Sequence, residues 1–257
     1  MSPQLDKLLL MNLRVVIVGI IAALAGATGG FVLANNLNRA TINALKAQID
    51  NRQSGSQSNP QAPGDLGVSD EEIKAKIAEA DANPTDVSFQ KSLGRGLYRF
   101  AAMKRDAALV EEAKRILERA TALDPKDFDV LVDLGNANFD IGFFKKDTVA
   151  FKKAREHYQA ALVLKPNEAD VLTEYALTYY LDEPADLKKT IVEFEKALKQ
   201  DPKQERALQF LTSTYIRQGD FTNATKTIEL LKAANPKNDS IANLQTQIDT
   251  RTYTPTQ

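Results

Sequence analysis

The chain of 257 residues contains no cysteine and only one histidine, His157. Without cysteine it can form no disulfide, no thiolate nucleophile and no cysteine metal site. A single histidine also removes most metal-ligand and acid–base chemistry, and on its predicted helix we expect it to be an exposed surface residue. There is no haem-attachment motif, which needs cysteine, and no glycine-rich phosphate loop. We therefore expect neither an enzyme nor a bound cofactor or metal.

An excess of charge of either sign is also absent. The 33 Lys and Arg residues balance 34 Asp and Glu residues to a formal net charge of −1. Nucleic-acid binding requires a basic face, so no nucleic-acid partner is expected. With 43% hydrophobic and 26% charged residues, the composition is that of a globular protein and excludes disorder throughout.

One long uncharged run is present, from Val15 to Ala34. A helix of its length spans about 30 Å, which is the thickness of the bilayer hydrocarbon. A cleaved signal peptide is the alternative, because Ala23-Leu24-Ala25 is an acceptable cleavage sequence. The run continues to Ala34, however, and helix-compatible sequence follows it. These two features favour a retained transmembrane helix.

The flanks and the small residues of this run suggest how it sits in a membrane. Basic residues on its two sides are nearly balanced under the positive-inside rule. A short N-terminal tail before a single anchor usually stays in the cytoplasm, so we expect a bacterial inner-membrane protein whose body lies outside the cytoplasm. Ala22, Gly26 and Gly30 share one helix face with the spacing that lets two membrane helices approach closely. One expectation is that the protein forms a homodimer through this helix. The alternative is that the spacing has no such role, because small residues are common in membrane helices.

After the run, the composition changes twice. Residues 52–67 read RQSGSQSNPQAPGDLG and lack the apolar side chains that would offset ordering entropy, so they predict a flexible tether with a reach of about 20–25 Å. From Ser69 onward helix signals begin, with Ser69 and Glu72 in capping-box positions ahead of a helix that ends before Pro84. Further prolines follow at residues 125, 166, 202 and 236. Counted from Pro84, the successive prolines are separated by 41, 41, 36 and 34 residues. A recurrent helix stop at this period is typical of a helical solenoid.

Four windows in phase with these prolines share a pattern of small and large apolar residues. Residues 128–166 show it through Leu134-Gly135, Gly142, Ala154, Tyr158, Ala161 and Pro166. Residues 205–236 show it through Leu208, Leu211, Tyr215, Gly219-Asp220-Phe221, Ala224, Leu231 and Pro236. Weaker copies occupy residues 87–125 and 169–202. The pattern resembles the tetratricopeptide repeat (TPR), in which the small residues allow close approach of the helices.

The resemblance implies an all-α fold, a right-handed TPR solenoid of helix hairpins preceded by the transmembrane helix. We expect an N-terminal tail and transmembrane helix at 1–34, a juxtamembrane helix and linker at 35–68, about four repeats with a cap helix at 69–251, and a tail at 252–257. Seven residues are inserted within each of the first two repeats, near Lys104-Arg105-Asp106 and Lys145-Lys146-Asp147. A longer second helix explains them most simply, and a projecting edge that contacts a partner or anionic lipid is the alternative. The segment Asp239–Asp249 predicts the cap helix that a solenoid end needs.

The resemblance also implies that the first helix of each hairpin lines a concave groove. The residues predicted by register to bind a partner there are Lys91, Arg95, Tyr98, Arg99, Asp133, Asn136, Phe139, Asp140, Glu174, Tyr180, Phe210 and Arg217, with Arg206, Gln209 and Ser213 on the same face. The groove is basic at one end, acidic in the middle, and apolar with arginines at the other end. It suits a peptide or helix with complementary charge order. Arg95 and Asp133 stand where chaperone-binding members of the family have asparagine, which argues against chaperone docking.

The expected function is that of a non-enzymatic, membrane-anchored scaffold or adaptor that binds a protein or peptide, as part of a membrane complex. Two alternatives stay open. The order of anchor, linker and repeats also resembles bacterial TPR subunits of cytochrome c maturation, whose repeats hold an apocytochrome segment. A secreted ligand-binding TPR protein with a cleaved signal peptide is the second alternative.

Overall fold

The structure, a computed structural model, describes residues 68–254. The predicted transmembrane helix, with its orientation, dimer spacing and cleavage sequence, lies outside these residues, as does the predicted linker up to residue 67. Within the described residues, no helix has the length and apolar character needed to cross a bilayer.

Residues 68–254 fold into ten helices and contain no strand. The helices are α1 (Asp70–Ala82), α2 (Val87–Lys104), α3 (Ala107–Leu123), α4 (Phe128–Lys145), α5 (Thr148–Leu164), α6 (Ala169–Leu181), α7 (Leu187–Gln200), α8 (Glu205–Gln218), α9 (Phe221–Ala234) and α10 (Ile241–Thr250). The repeat pattern alone predicts one domain over residues 69–251. The structure divides the described residues at Leu123 into an N-terminal unit, α1–α3, and a C-terminal unit, α4–α10.

Capping explains where α1 begins and what holds its end. The backbone N–H of Glu72 donates to the Ser69 hydroxyl at 3.2 Å, and the Ser69 N–H donates to the Glu72 carboxylate at 2.9 Å, which confirms the capping box. At the other end, the side-chain amide of buried Gln90 donates to the Ala80 carbonyl at 2.7 Å. Helix α1 is thus tied to α2 through its last turn.

Small residues set the close approach within each long hairpin, as the sequence predicts. A Cβ atom placed on Gly135 would lie 2.6 Å from the Tyr158 ring, and one on Gly142 would lie 2.9 Å from the Phe151 ring. In the N-terminal unit, a Cβ on Gly94 would meet Leu117 at 3.0 Å. Real Cβ atoms do not come as close as those at Gly135 and Gly142 would, and the contact at Gly94 would be unusually tight, so a larger residue at these positions would require the facing side chains or helices to shift.

The inserted residues lengthen both helices of a hairpin. Helices α2 and α4 have 18 residues, and α3 and α5 have 17. In the C-terminal unit α6 has 13 residues, and α7, α8 and α9 have 14 each. The interpretation that only the second helix grows is therefore half correct, because the first helix also extends.

Left-handed residues join the two helices of the hairpins. Arg105 and Lys146 end α2 and α4 with φ of 56° and 52°, at the position where Gly219 ends α8 with φ of 81°. This αL conformation ends helices and reverses the chain, and it favours glycine. Two of these turns therefore hold a basic residue in a glycine conformation.

The predicted cap helix is present as α10. It packs against α9 and α8, and its Leu244 and Ile248 side chains are buried. It ends at Arg251, which is also left-handed with φ of 53°. The chain therefore turns back after α10 rather than continuing away from it.

Candidate partner-binding face

The first helices of the three hairpins form one face of the C-terminal unit, which we call the inner face. Helix α4 contacts α6, and α6 contacts α8, while the second helices α5 and α7 each pack between successive first helices. Direct contact between successive first helices gives that side the smaller spacing. The inner face is therefore the concave side of this unit, as the resemblance implies.

Carboxylates are buried on the α4 part of the inner face. The side chains of Asp133 and Asp140 are buried, one on each side of Asn136. The amide oxygen of Asn136 accepts a hydrogen bond of 2.7 Å from the hydroxyl of Tyr158, which α5 supplies. Burial raises the pKa of Tyr158 well above its usual value, and the negative charges of Glu174, Asp140 and Asp133 add to that rise.

A carboxylate and a guanidinium follow on α6 and α8. Glu174 Oε1 and Arg206 Nε lie 3.4 Å apart, which is an ion pair but too long for a well-formed hydrogen bond. Burial raises the pKa of Glu174, and the Arg206 charge lowers it in part. Burial likewise lowers the pKa of Arg206, and the Glu174 carboxylate opposes that change. Both side chains are therefore held where water solvates them poorly.

Arg206 keeps unused hydrogen-bond donors. Its Nε and Nη1 groups are buried, and neither donates a hydrogen bond within the described residues. The guanidinium carbon lies 5.6 Å from the centre of the Phe210 ring, so one side of the group faces an aromatic side chain. Because buried N–H groups are nearly always paired, this arginine is the least satisfied polar group of the inner face.

Aromatic side chains form the far end of the inner face. The Tyr180 and Phe210 rings meet edge to face with centroids 5.4 Å apart, and the Tyr180 hydroxyl shares a 2.7 Å hydrogen bond with the Ser213 hydroxyl. The Arg217 guanidinium donates to the Tyr180 carbonyl at 3.1 Å. These contacts lock the end of α6 to α8.

The C-terminal residues return to this same end. The N–H groups of Thr252 and Thr254 donate to Gln247, to its carbonyl at 3.1 Å and to its side-chain oxygen at 2.8 Å. They hold Tyr253 with its ring 5.8 Å from the Arg217 guanidinium. Burial and a hydrogen bond with the Tyr180 hydroxyl raise the pKa of Tyr253. The tail thus places a tyrosine on residues predicted to bind a partner.

A cleft of about 190 Å³ lies between α8 and the cap helix, beside Phe210. It is lined by Gln209, Phe210, Ser213, Asp239, Ser240, Asn243 and Leu244. The lining combines one aromatic ring and one aliphatic side chain with amide, hydroxyl and carboxylate groups. Such a cleft fits one side chain of a bound segment.

The structure brings most of the predicted groove residues of the C-terminal unit together. The Tyr158 hydroxyl donates to Asn136 and is influenced by the charges of Asp133, Asp140 and Glu174. The aromatic end is formed by Tyr180, Phe210 and Arg217. Phe139 lies instead in the hydrophobic core, where its ring meets Phe151 edge to face at 5.8 Å.

The four groove residues predicted in the first repeat lie on α2 of the N-terminal unit. Lys91, Arg95 and Arg99 are half-buried on one stripe of that helix, and Tyr98 is buried. His157, predicted as an exposed residue, is half-buried on α5. Among residues 68–254, no three His, Asp or Glu side chains are grouped so as to hold a metal ion.

Sequence reasoning misses Tyr253 and the cleft residues of the cap helix. A tyrosine in a short polar tail carries no periodic signal, and its place depends on the turn at Arg251. Tyr158 is found only as a repeat-core residue, because its hydroxyl reaches the inner face from the second helix.

Comparison with known proteins defines the class. Residues 185–248 match the tetratricopeptide repeat family model. Similar solved structures include the MamA protein, at 24% identity and a TM-score of 0.52 over 65% of this chain and 83% of that one. TTC0263, a thermophilic TPR protein of Thermus thermophilus, aligns at 17% identity and a TM-score of 0.50 over 72% of this chain and 91% of that one.

A search of curated protein sequences gives no match. At these identities the solved structures establish the fold alone. The predicted all-α TPR fold is therefore confirmed for the described residues.

Proposed function

We propose that this chain is a non-enzymatic scaffold that binds a segment of a partner protein on the inner face of its C-terminal unit, and that residues 15–34 hold it at a membrane. The observation that carries the binding proposal is Arg206. Its buried Nε and Nη1 groups donate no hydrogen bond within the described residues, although the half-buried Glu174 carboxylate lies beside them.

A bound peptide would satisfy this arginine. Leaving a buried donor unpaired costs about 1–3 kcal/mol, and a hydrogen bond to a charged donor is stronger than one between neutral groups. The backbone carbonyl of an extended or helical segment is the acceptor that every peptide offers. Glu174, next to Arg206, would accept from a peptide N–H in the same way.

The charges of the inner face indicate which side chain the segment carries there. The carboxylates of Asp133, Asp140 and Glu174 all act on the Tyr158 hydroxyl through their negative charge, and the Arg206 guanidinium opposes them. A lysine or arginine of the partner would be attracted to these carboxylates. The aromatic end, with Tyr180, Phe210 and the cleft beside α10, would take an apolar or aromatic side chain further along the segment.

A pull-down of the full-length protein from solubilised native membranes tests the proposal. The double variant Asp133→Asn and Asp140→Asn keeps the shape of both side chains and removes their charge. We expect it to lose a partner that the unmodified protein retains, while circular dichroism stays helical. The same pull-down addresses the cytochrome c alternative, which requires that the lost partner be an apocytochrome.

The matched control is Glu118→Gln with Glu156→Gln, which removes two carboxylates that are exposed on the second helices α3 and α5. It should keep the partner. Retention by both variants, or loss from both, would contradict binding at the acidic part of the inner face.

The membrane part of the proposal rests on the uncharged run of residues 15–34. Full-length protein should stay in the membrane pellet after an alkaline carbonate wash, because charge does not hold an apolar helix in a bilayer. A soluble mature form beginning near Gly26 would favour a secreted protein with a cleaved signal peptide.

A further inference from the structure

The tip of the long hairpin α4–α5, residues 143–153, combines exposed apolar side chains with lysines. Phe143 is 50% exposed and Val149 is 62% exposed, and Phe144 stacks edge to face on Phe143 at 5.8 Å. Monomeric proteins seldom leave neighbouring aromatic and aliphatic side chains in water without a use for them. We call this segment the long tip.

Four lysines lie in the same segment as these apolar side chains. Lys145, Lys146, Lys152 and Lys153 are exposed, against one carboxylate, Asp147. That carboxylate accepts from the N–H groups of Val149 and Ala150 at 2.8 and 3.2 Å, so it is engaged as the cap of α5. The surface that the long tip presents is therefore cationic.

The long tip also projects beyond the neighbouring hairpin. Arg155 pairs with Asp182 at 2.9 Å, which places the end of α6 level with the middle of α5. Val149 precedes Arg155 by six residues, or about 9 Å along the helix. Phe143 and Val149 thus lie in the part of their hairpin that extends past the end of α6.

The other hairpin tips of the C-terminal unit lack this chemistry. The α6–α7 turn carries Asp182, Glu183 and Asp186, and the α8–α9 turn is Gly219-Asp220. Among the described residues of this unit, neither turn exposes a large apolar side chain. The combination is therefore a property of the long tip and not of TPR turns in general.

We propose that the long tip docks on an anionic lipid bilayer, with Phe143 and Val149 entering the headgroup boundary and the lysines on the lipid phosphates. Aromatic side chains favour this boundary, and basic residues near an anionic surface add attraction. An apolar partner protein would not require the four lysines. The proposal concerns a surface apart from the inner face, so its failure leaves the partner-binding proposal intact.

The absence of tryptophan makes a direct test available. In full-length Phe143→Trp, the single indole reports the position of the tip. We expect its emission to shift to shorter wavelength with vesicles of phosphatidylcholine and phosphatidylserine, and to be quenched by brominated lipid in them. With vesicles of phosphatidylcholine alone both effects should be much weaker, because only the anionic surface attracts the lysines.

Val163→Trp is the matched control. Val163 is 82% exposed on the same helix α5, about 21 Å from Val149 toward the opposite end. It should show neither effect. Adding Lys146→Gln and Lys153→Gln to Phe143→Trp should weaken the lipid response about 25-fold, at roughly fivefold for each lysine near the surface.

Equal responses from the two tryptophans would overturn the proposal, as would a Phe143→Trp signal that is unchanged by phosphatidylserine. So would the absence of lipid quenching together with loss of a captured protein in Phe143→Ser, since that result assigns the long tip to a protein partner. Circular dichroism of each variant distinguishes these outcomes from unfolding.

Discussion

Single small residues decide how closely the helices of this protein pack. Ala161 is fully buried on α5, while its neighbour Ala160 is exposed. The sequence predicts the burial of Ala161, because the repeat pattern fixes which positions face another helix. It predicts Gly135 and Gly142 for the same reason, and both glycines lie against aromatic rings.

Ala161→Phe is therefore expected to overpack the C-terminal unit and to lower its unfolding free energy by about 1–3 kcal/mol. Ala160→Phe places the same side chain in solvent and should have little effect. Thermal unfolding of the two variants measures the difference. Equal unfolding midpoints for the two variants would contradict the close packing of Ala161 against another helix.

The left-handed turn of the long tip gives a second prediction at this scale. Lys146 adopts φ of 52°, which costs a residue with a Cβ about 1 kcal/mol. Lys146→Gly should raise the unfolding free energy by about 0.5–1 kcal/mol, since glycine adopts this conformation without strain. Gly219→Ala, at φ of 81°, should change it in the opposite direction. Chemical denaturation of both variants tests the pair of signs.

Arg206 shows what residue patterns leave out. Its register places it on the inner face, but its distance from Glu174 and its unpaired N–H groups depend on how α6 and α8 pack. Those distances are set by side chains from four helices at once. No local periodicity encodes them.

At the scale of elements, helix α1 depends on a few polar contacts. Asp81, at its last turn, pairs with Arg115 at 2.6 Å and with Arg119 at 2.8 Å, both on α3. Hydrogen bonds from Arg115 and Arg119 lower the pKa of Asp81 to about 2. The Ala80 carbonyl of α1 also accepts hydrogen bonds from Gln90 on α2 at 2.7 Å and from Arg119 at 2.8 Å.

Asp81→Asn should therefore speed amide hydrogen exchange in α1 without changing that of α4–α10. Because the pKa of Asp81 is lower in the folded state, its carboxylate stabilises the fold fully at pH values above 3.8, the pKa of the unfolded state. This contribution is lost as the pH falls toward 2. The unmodified protein should accordingly lose protection of α1 over that range, while Asp81→Asn shows no such step. The effect is small and decreases with salt, because the ion pairs are largely exposed.

Glu71→Gln, which removes an exposed carboxylate from the first turn of α1, serves as the control. If it speeds exchange as much as Asp81→Asn, general charge on α1 and not the pairing with α3 would be responsible.

Helix boundaries are the part of the fold that the sequence predicts best. Ser69 and Pro84 bracket α1, and the later prolines follow the second helix of each hairpin. How an insertion is divided between two helices is not encoded in this way, because no proline near residue 104 or 145 marks where the first helix ends. Packing of the two helices along their full length decides it.

At the scale of the whole molecule, the chain covers part of the proposed partner-binding face. Tyr253 lies against Arg217 and Tyr180, where an aromatic side chain of a partner would lie. An occupant on the same chain acts at a high effective concentration, so a partner must displace it.

Tyr253→Ala is expected to tighten binding of the partner segment found by pull-down by several-fold, while Thr254→Ala, which keeps the backbone contact to Gln247, leaves it unchanged. Isothermal titration calorimetry with a synthetic peptide of that segment measures both. Weaker binding by Tyr253→Ala would mean that the tyrosine forms part of the partner's site.

The division into two units is the feature of this scale that the sequence does not signal. Prolines recur with an equal gap of 41 residues before and after residue 125, so the repeat pattern runs through Leu123 without a break. The division depends on contacts between residues that are far apart in sequence, and the spacing of the prolines contains no information about those contacts.

The unequal hairpins have a consequence for how such a protein can change in length. In the C-terminal unit, α4 exceeds α8 by four residues and α5 exceeds α9 by three. Each difference is close to the 3.6 residues of one helical turn, so every side chain below the tip keeps its original direction. A hairpin can thus be extended by about seven residues at its tip without repacking the rest. An insertion of three or four residues in one helix alone should leave the added turn without a partner helix to pack against. A sequence grafted onto the α8–α9 turn should therefore add whole turns to both helices.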